Sequence, residues 1–131
     1  MIGIDTNVLV RYIAQDDAAQ SARAERLIES ECSPDSPGFV PLVVLVESVW
    51  VSESVYDATR EEVAQIVRRL LSIRQLVVEN SEVAWKALRA FEVSRADFAD
   101  CLIHQTAMAA GCDRVVTFDR QASRSGMSLL R

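Results

Sequence analysis

The chain has few of the residues on which several common enzyme sites depend. It contains one histidine, His104, and three cysteines without CxxC spacing, Cys32, Cys101 and Cys112. A structural zinc site and a Ser-His-Asp triad therefore lack sufficient candidates. An odd number of widely separated cysteines predicts free thiols in a reducing compartment.

Long apolar runs are absent too. The longest, Leu42–Val51, is too short to cross a bilayer and contains Glu47. Asp5 interrupts the apolar stretch at the beginning of the chain, so no signal peptide fits there. We therefore expect a cytoplasmic protein with no membrane partner.

Lysine is nearly missing: Lys86 is the only one, and the other thirteen basic residues are arginine. The formal net charge is −5, so overall electrostatics do not favour nucleic-acid binding. A nucleic-acid substrate would need a metal ion, local arginines or a partner protein to overcome that charge. The GxxxxGK[ST] motif is also missing, which excludes a P-loop NTPase.

Apolar periodicity predicts an α/β protein. At 131 residues, half of them hydrophobic, the chain is expected to form one domain over residues 1–131. Strands and helices alternate, an order typical of a parallel sheet. The predicted strands are Met1–Ile4, Phe39–Val40, Leu76–Glu79, Arg114–Asp119 and an edge strand at Ser128–Leu130. We expect the first and the fourth of these strands to be buried. The predicted helices with defined bounds are Val8–Ile13, Ala18–Glu31, Leu42–Tyr56 and Ala96–Ala110, the last of which is ended by Gly111. Two more helices are predicted between Tyr56 and Ala96. One follows the capping box Thr59–Glu62, and the other directs Ala84, Leu88 and Phe91 inward.

Asp5 directly follows the first predicted strand. Ligands of open parallel sheets bind outside the carboxyl ends of the strands, so Asp5 would lie where such sites form. Thr6 or Asn7 is predicted to cap the helix that begins near Val8. The alternative, that Asp5 itself serves only as the cap, remains open from this stretch alone.

Glu47 is the only charged residue between Phe39 and Ser52. A buried carboxylate there would need a cation, a hydrogen-bond donor or a metal ion. The alternative is a glutamate directed to the surface.

A second group of acids lies in the last third of the chain. Asp97 and Asp100 are three residues apart and share a helix face, although Asp97 could be only an N-terminal cap. Asp119 repeats the strand-end pattern of Asp5, with Thr117 two residues before it, although it could be only a turn residue. His104 continues the face of the two acids and is interpreted as a polar residue at the edge of the core.

Strand-end and helix acids of one parallel sheet would meet at one edge. Clusters of three or four carboxylates suit Mg²⁺ or Mn²⁺ rather than zinc or copper. The sequence therefore predicts a site for a hard divalent cation.

Four motifs together resemble the PIN-domain family, and more closely the VapC toxins of bacterial toxin–antitoxin pairs. They are Ile4–Asn7, Pro41–Trp50, Asp97–Ile103 and Val116–Asp119, and their order and spacing fit nearly the whole chain. The resemblance implies a three-layer α/β/α PIN-like fold with a central parallel sheet of four to five strands. It implies catalytic, metal-binding roles for Asp5, Glu47, Asp100 and Asp119, an additional metal ligand at Asp97, and supporting roles for Thr6, Asn7 and Thr117.

The resemblance also implies an activity and partners. These are hydrolysis of RNA phosphodiester bonds by a Mg²⁺- or Mn²⁺-dependent endoribonuclease, neutralisation by a VapB-like antitoxin, and a homodimer or a larger toxin–antitoxin assembly. Apolar residues expected at the surface, Val51, Val55, Val83 and Trp85, are also consistent with an interface.

Two other classes are weighed against this hypothesis. Aspartyl-phosphate phosphotransfer proteins also place an Asp after the first strand. They normally use a later strand-end lysine, whereas Lys86 lies inside a predicted helix. A non-catalytic PIN-like interaction module would have no use for four mutually repelling acids.

Overall fold

The chain divides into two compact units. The structure is a computed structural model that describes all of residues 1–131. The N-terminal unit is Met1–Glu79 and the C-terminal unit is Asn80–Arg131. The prediction that residues 1–131 form a single domain stays a prediction.

The N-terminal unit contains three strands and four α-helices. In chain order they are β1 (Ile2–Gly3), α1 (Thr6–Ala14), α2 (Ala18–Arg26), β2 (Gly38–Val40), α3 (Leu42–Ser54), α4 (Arg60–Ser72) and β3 (Leu76–Val78). The helix predicted through Glu31 does continue to that residue, but its last segment, Leu27–Glu31, is a π-helical turn.

The three strands form a parallel sheet in the order β1-β2-β3. Gly38 in β2 makes the close packing of this sheet possible. A Cβ atom there would lie 3.0 Å from Cγ1 of Ile4 and 3.0 Å from Cδ2 of Leu76, closer than ordinary contact. Because Gly38 leaves that space, Ile4 packs fully into the core and fixes the chain immediately before Asp5.

The predicted buried helix after the second strand is confirmed as α3. Pro41 is the N-cap residue of this helix. The capping box before α4 is also confirmed, since Thr59 and Glu62 bond reciprocally to each other's backbone N–H groups. Behind it, Val63, Val67 and Leu70 are buried at helical spacing.

The C-terminal unit contains α5 (Ser81–Glu92), α6 (Phe98–Ala109), β4 (Val116–Thr117), a 3₁₀ turn (Ala122–Ser125) and β5 (Ser128–Leu129). Phe91 of α5 and Phe98 of α6 pack edge to face, with ring centroids 5.9 Å apart at 84°. The predicted inward face of α5 is confirmed, because Ala84, Leu88 and Phe91 are all buried. Gly111, with φ +96°, ends α6 as predicted.

Two strand predictions are wrong in their details. The first strand was expected to be buried, but β1 is one of the two edge strands of its sheet, and both Ile2 and Gly3 are exposed. The stretch Arg114–Asp119 was expected to be a long buried strand. Only two of its residues form β4, which pairs with β5 alone, and Val116 is 47% exposed. An edge strand is covered on one side only, so an apolar sequence does not guarantee burial.

Two compositional predictions are tested by the structure. All three cysteines are free thiols, as expected; Cys32 and Cys101 are buried and Cys112 is exposed. Every helix is too short or too polar to cross a lipid bilayer.

Candidate active site

Asp5 is the N-cap residue of α1, which begins at Thr6. Its carboxylate makes no capping hydrogen bond to the helix and is exposed to solvent. The prediction that Thr6 or Asn7 caps this helix is therefore wrong. Asn7 is exposed in the first turn, whereas the Thr6 side chain is buried and directed elsewhere.

Thr6 connects the start of α1 to Glu47 in α3. Its hydroxyl donates a 2.8 Å hydrogen bond to Oε1 of Glu47. The rest of the Glu47 side chain is exposed. Both alternatives weighed for Glu47 are thus partly realised, because the carboxylate reaches solvent and is also held by a donor.

The position of Glu47 depends on how α3 begins. Pro41 has no side-chain oxygen with which to cap the helix. Instead, the backbone N–H of Leu42 donates a 2.9 Å bond to Oε1 of Glu79, which directly follows β3. The N–H group of Glu79 in turn donates to the carbonyl of Val40 at 2.9 Å. Glu79 therefore ties the end of the sheet to the first turn of the helix that carries Glu47.

N-cap aspartates behave in two different ways in this protein. Asp17, the N-cap of α2, accepts a 3.0 Å bond from the backbone N–H of Gln20, as such residues normally do. Asp5 and Asp97, the N-caps of α1 and α6, make no such bond. Their carboxylates remain available for another partner.

In the C-terminal unit, three acids interact unfavourably. Burial raises the pKa of the Asp100 carboxyl above its usual value, and the negative charges of Asp97 and Asp119 raise it further. No basic residue contributes to this shift. Asp100 is thus a partly buried acid whose neighbours carry the same charge, an arrangement that a cation would relieve.

Asp119 lies in a turn with defined geometry. Its backbone N–H donates to the Thr117 hydroxyl at 3.0 Å, and its Oδ1 accepts from the N–H of Gln121 at 2.8 Å. Thr117 was predicted to support an acid, and its contact is with the main chain of Asp119 rather than with the carboxylate. The second carboxylate oxygen of Asp119 remains available.

His104 lies on α6 beneath Gly126. A Cβ atom at Gly126 would lie 3.0 Å from Cε1 of His104, so only glycine allows this close approach. The ring is half-buried, and its Nδ1 atom is buried without a hydrogen-bond partner. This placement agrees with a residue at the edge of the core.

The predicted acids are distributed over both units. Asp5, Thr6, Asn7 and Glu47 belong to the N-terminal unit, and Asp97, Asp100, Thr117 and Asp119 to the C-terminal unit. No group of three or more His, Cys, Asp and Glu side chains is close enough to form a metal-binding set. The donors nevertheless suit Mg²⁺ or Mn²⁺ chemically, because all are oxygens and Asp100 lacks a compensating cation.

Comparison with known protein families matches residues 2–126 to the PIN domain. The chain belongs to the PIN-domain family. The chain is also similar to the VapC ribonuclease of Aquifex aeolicus (strain VF5), with 26% identity over 123 residues, covering 94% of this chain and 90% of the relative. The sequence identification of a VapC-type PIN protein is confirmed.

Membership in the PIN family confirms the predicted α/β class and three-layer α/β/α PIN-like fold. The strand count differs from the prediction of four to five strands in one central sheet. This PIN domain has five strands, three in one parallel sheet and two in another.

Sequence reasoning missed two features near the predicted acids of this PIN domain. Glu79 follows a predicted strand, as Asp5 and Asp119 do, and that shared pattern could have drawn attention to it. Its carboxylate caps α3. Phe118 lies in a stretch that the sequence predicts as a buried strand, yet it is among the most exposed apolar residues of the protein.

Proposed function

We propose that this PIN domain is a Mg²⁺- or Mn²⁺-dependent endoribonuclease of the VapC type, which hydrolyses RNA phosphodiester bonds in the cytoplasm. The observation that carries the proposal is the environment of Asp100, a carboxylate with two acidic neighbours and no compensating cation. Similarity to a protein named VapC ribonuclease supports RNA as the substrate.

In this proposal Asp5, Glu47, Asp100 and Asp119 are the catalytic acids, and Asp97 adds a further oxygen ligand. A divalent cation bound by them would lower the pKa of a water molecule and offset the charge that develops on the phosphate. Asp5 and Asp97 suit this role because neither carboxylate is used to cap its helix. Thr6 holds one oxygen of Glu47 and leaves the other free to orient the attacking water.

Thr117 would position an acid of the site, and Asn7 would contact the substrate. Thr117 fixes the backbone of Asp119, so the direction of that carboxylate is set before any substrate binds. Asn7 presents an exposed amide two residues from Asp5, where it can donate to a phosphate oxygen.

A VapB-like antitoxin is the proposed partner. The N-terminal unit has a cleft of about 430 Å³ between α1, α3 and α4. Apolar side chains such as Val10, Ile13 and Ile66 line it, and Arg69 and Glu62 provide charges. A groove of this kind suits the apolar face of a partner helix. Co-expression with a VapB-like protein should give a complex that Ile66→Asp abolishes. Val93→Asp, at the exposed residue that directly follows α5, should preserve the complex.

We also propose a homodimer, or a larger assembly with the antitoxin. The exposed apolar residues of the N-terminal unit include Val43, Trp50 and Val55, at or near α3. Of the residues predicted from sequence for an interface, Val55 is exposed, whereas Val51, Val83 and Trp85 are only partly so. Exposed patches of this kind often mark interfaces. A monomer in sedimentation at tens of micromolar protein would contradict the dimer.

Cleavage of single-stranded RNA tests the activity. The wild type should cleave in millimolar Mg²⁺ or Mn²⁺ and stop in excess EDTA, with recovery when the metal is restored. Asp100→Asn should be inactive under both conditions. Cleavage that persists in excess chelator contradicts the metal mechanism, and metal binding without cleavage of any RNA would favour a non-catalytic PIN module. Mapping the cut sites on total cellular RNA identifies the substrate.

A further inference from the structure

Phe118 is an aromatic side chain that the fold leaves in solvent. The protein has only four phenylalanines, two tryptophans and two tyrosines. Phe91 and Phe98 are fully buried in the C-terminal unit, whereas Phe118 is 82% exposed. Single exposed apolar residues are common on protein surfaces, so the role of Phe118 depends on the residues that surround its ring.

The surroundings of Phe118 point to the acids of the site. It lies between Thr117 and Asp119, the two residues joined by the 3.0 Å bond from the Asp119 N–H to the Thr117 hydroxyl. After Phe118, the backbone N–H of Gln121 donates a 2.8 Å hydrogen bond to Oδ1 of Asp119, which fixes the second half of the turn. Neighbouring Cα atoms are about 3.8 Å apart. Phe118 therefore directly adjoins one of the proposed catalytic acids.

Arginine is frequent in the sequence around this turn. The N-terminal unit has seven Arg and Lys residues against thirteen acids, whereas the C-terminal unit has seven against six. Residues 114–131 contain a single acid, Asp119, and four arginines: Arg114, Arg120, Arg124 and Arg131. All four are exposed, and none forms a salt bridge. Free guanidinium groups beside an exposed aromatic ring are typical of surfaces that bind single-stranded nucleic acid.

We propose that Phe118 stacks on a base of single-stranded RNA next to the cleaved phosphate, while Arg120 and Arg124 contact the backbone. This inference rests on the proposed ribonuclease function and makes Phe118 a positioning and specificity residue rather than a catalytic one. Stacking tolerates any base, because each has an aromatic face, so Phe118 selects unpaired RNA over a duplex.

Equilibrium binding without cleavage tests the inference. The protein is the full chain carrying Asp100→Asn, in EDTA, and the probe is a fluorescent single-stranded RNA of about ten nucleotides. Phe118→Ala should weaken binding by about 5- to 150-fold, the effect of losing one stacked base. Phe118→Trp should preserve it. Phe118→Leu, which keeps apolar bulk without an aromatic face, should behave like alanine, and Val93→Ala is the control for an exposed apolar residue of the same unit.

The arginine variants should change a different quantity, the salt dependence of RNA binding. Arg120→Ala and Arg124→Ala should each reduce the slope of log affinity against log salt by about 0.7, because each removes one phosphate contact. The Phe118 variants should leave that slope unchanged. In active protein, Phe118→Ala should raise KM for single-stranded RNA with little change in kcat, since the acids are intact.

Other outcomes overturn the inference. If Phe118→Ala or Phe118→Leu binds RNA as tightly as the parent, no base stacks there. If the substitutions change instead the sedimentation of the protein or the binding of an antitoxin, Phe118 belongs to a protein interface. Failure of the wild type to cleave any RNA would contradict the proposed function. A wild type that cleaves while its Phe118 variants bind normally would contradict only the stacking site.

Discussion

The Thr6 hydroxyl donates a hydrogen bond of 2.8 Å to Oε1 of Glu47, a residue 41 positions later in the chain. Thr6 is the first residue of α1 and is buried, whereas Glu47 extends from α3 into solvent. A buried donor thus fixes one oxygen of an exposed acid. This bond joins the two motifs of the N-terminal unit that resemble the PIN family.

Thr6→Val tests whether this bond positions Glu47. Valine has nearly the same shape but no hydroxyl, so Glu47 loses its only donor among the described hydrogen bonds. We expect RNA cleavage to fall about 10- to 100-fold, as for other residues that orient a metal ligand. The free energy of unfolding should fall by about 1 kcal/mol. Thr6→Ser keeps a hydroxyl and should remain active, so equal activity of the two variants would contradict the positioning role.

The N-cap aspartates provide a second prediction. Asp17→Ala removes a real capping bond to Gln20 and should cost about 0.5–2 kcal/mol of stability. Asp97→Ala removes no capping bond, so its cost should be clearly smaller. The order for RNA cleavage should be reversed, with Asp97→Ala impaired and Asp17→Ala unaffected. Urea denaturation with a cleavage assay measures both, and equal stability losses would mean that Asp97 is a structural cap.

Local sequence patterns predicted the helices of this PIN domain well. The inward residues of α5, the capping box at Thr59 and the Gly111 terminus of α6 were all identified, because each follows from a pattern of neighbouring residues in the chain. The apolar run before Ser52 was correctly assigned to a helix by its length.

The remaining errors concern contacts between distant residues. Thr6 has the residue type and position of a helix cap, but its hydroxyl bonds to Glu47, which no local pattern indicates. Phe118 lies in an apolar stretch typical of a buried strand, yet burial depends on what covers the strand. The acids were identified by motif and by family resemblance, since spacing along the chain cannot show which carboxylates meet.

A third prediction concerns Glu79, which caps α3 from the end of β3. Glu79→Ala leaves the Leu42 N–H group without its acceptor and should lower stability by about 0.5–2 kcal/mol, the usual cost of a lost cap. Because α3 carries Glu47, cleavage should fall as well. Glu25→Ala, at an exposed position of α2, is the control for removing a surface glutamate. If Glu79→Ala lowered activity but not stability, Glu79 would belong to the chemistry rather than to the helix terminus.

The last prediction concerns Asp100 and the pH dependence of stability. Burial, followed by the charges of Asp97 and Asp119, raises the pKa of this carboxyl above its usual value of 3.8. A raised carboxyl pKa means that the folded state holds the proton more tightly than the unfolded state does. The contribution of Asp100 to stability therefore decreases as pH rises from its usual pKa through the raised one. Asp100→Asn removes this loss, so without metal it should melt at or above the wild-type temperature at pH 7. Near pH 3.8 the advantage should shrink, because both side chains approach neutrality.

Metal should reverse the order of the two melting temperatures. The wild type gains RT ln(1 + [L]/Kd), about 1.4 kcal/mol at ten times Kd, and the variant gains less because one ligand is gone. Melting curves at pH 4 and pH 7, each in EDTA and in millimolar Mg²⁺, test both effects. Asp113→Asn, at an exposed acid of the same unit, is the matched control and should respond to neither change. If Asp100→Asn melts well below the wild type in EDTA at pH 7, Asp100 is a structural partner of the fold, and the metal site does not include it.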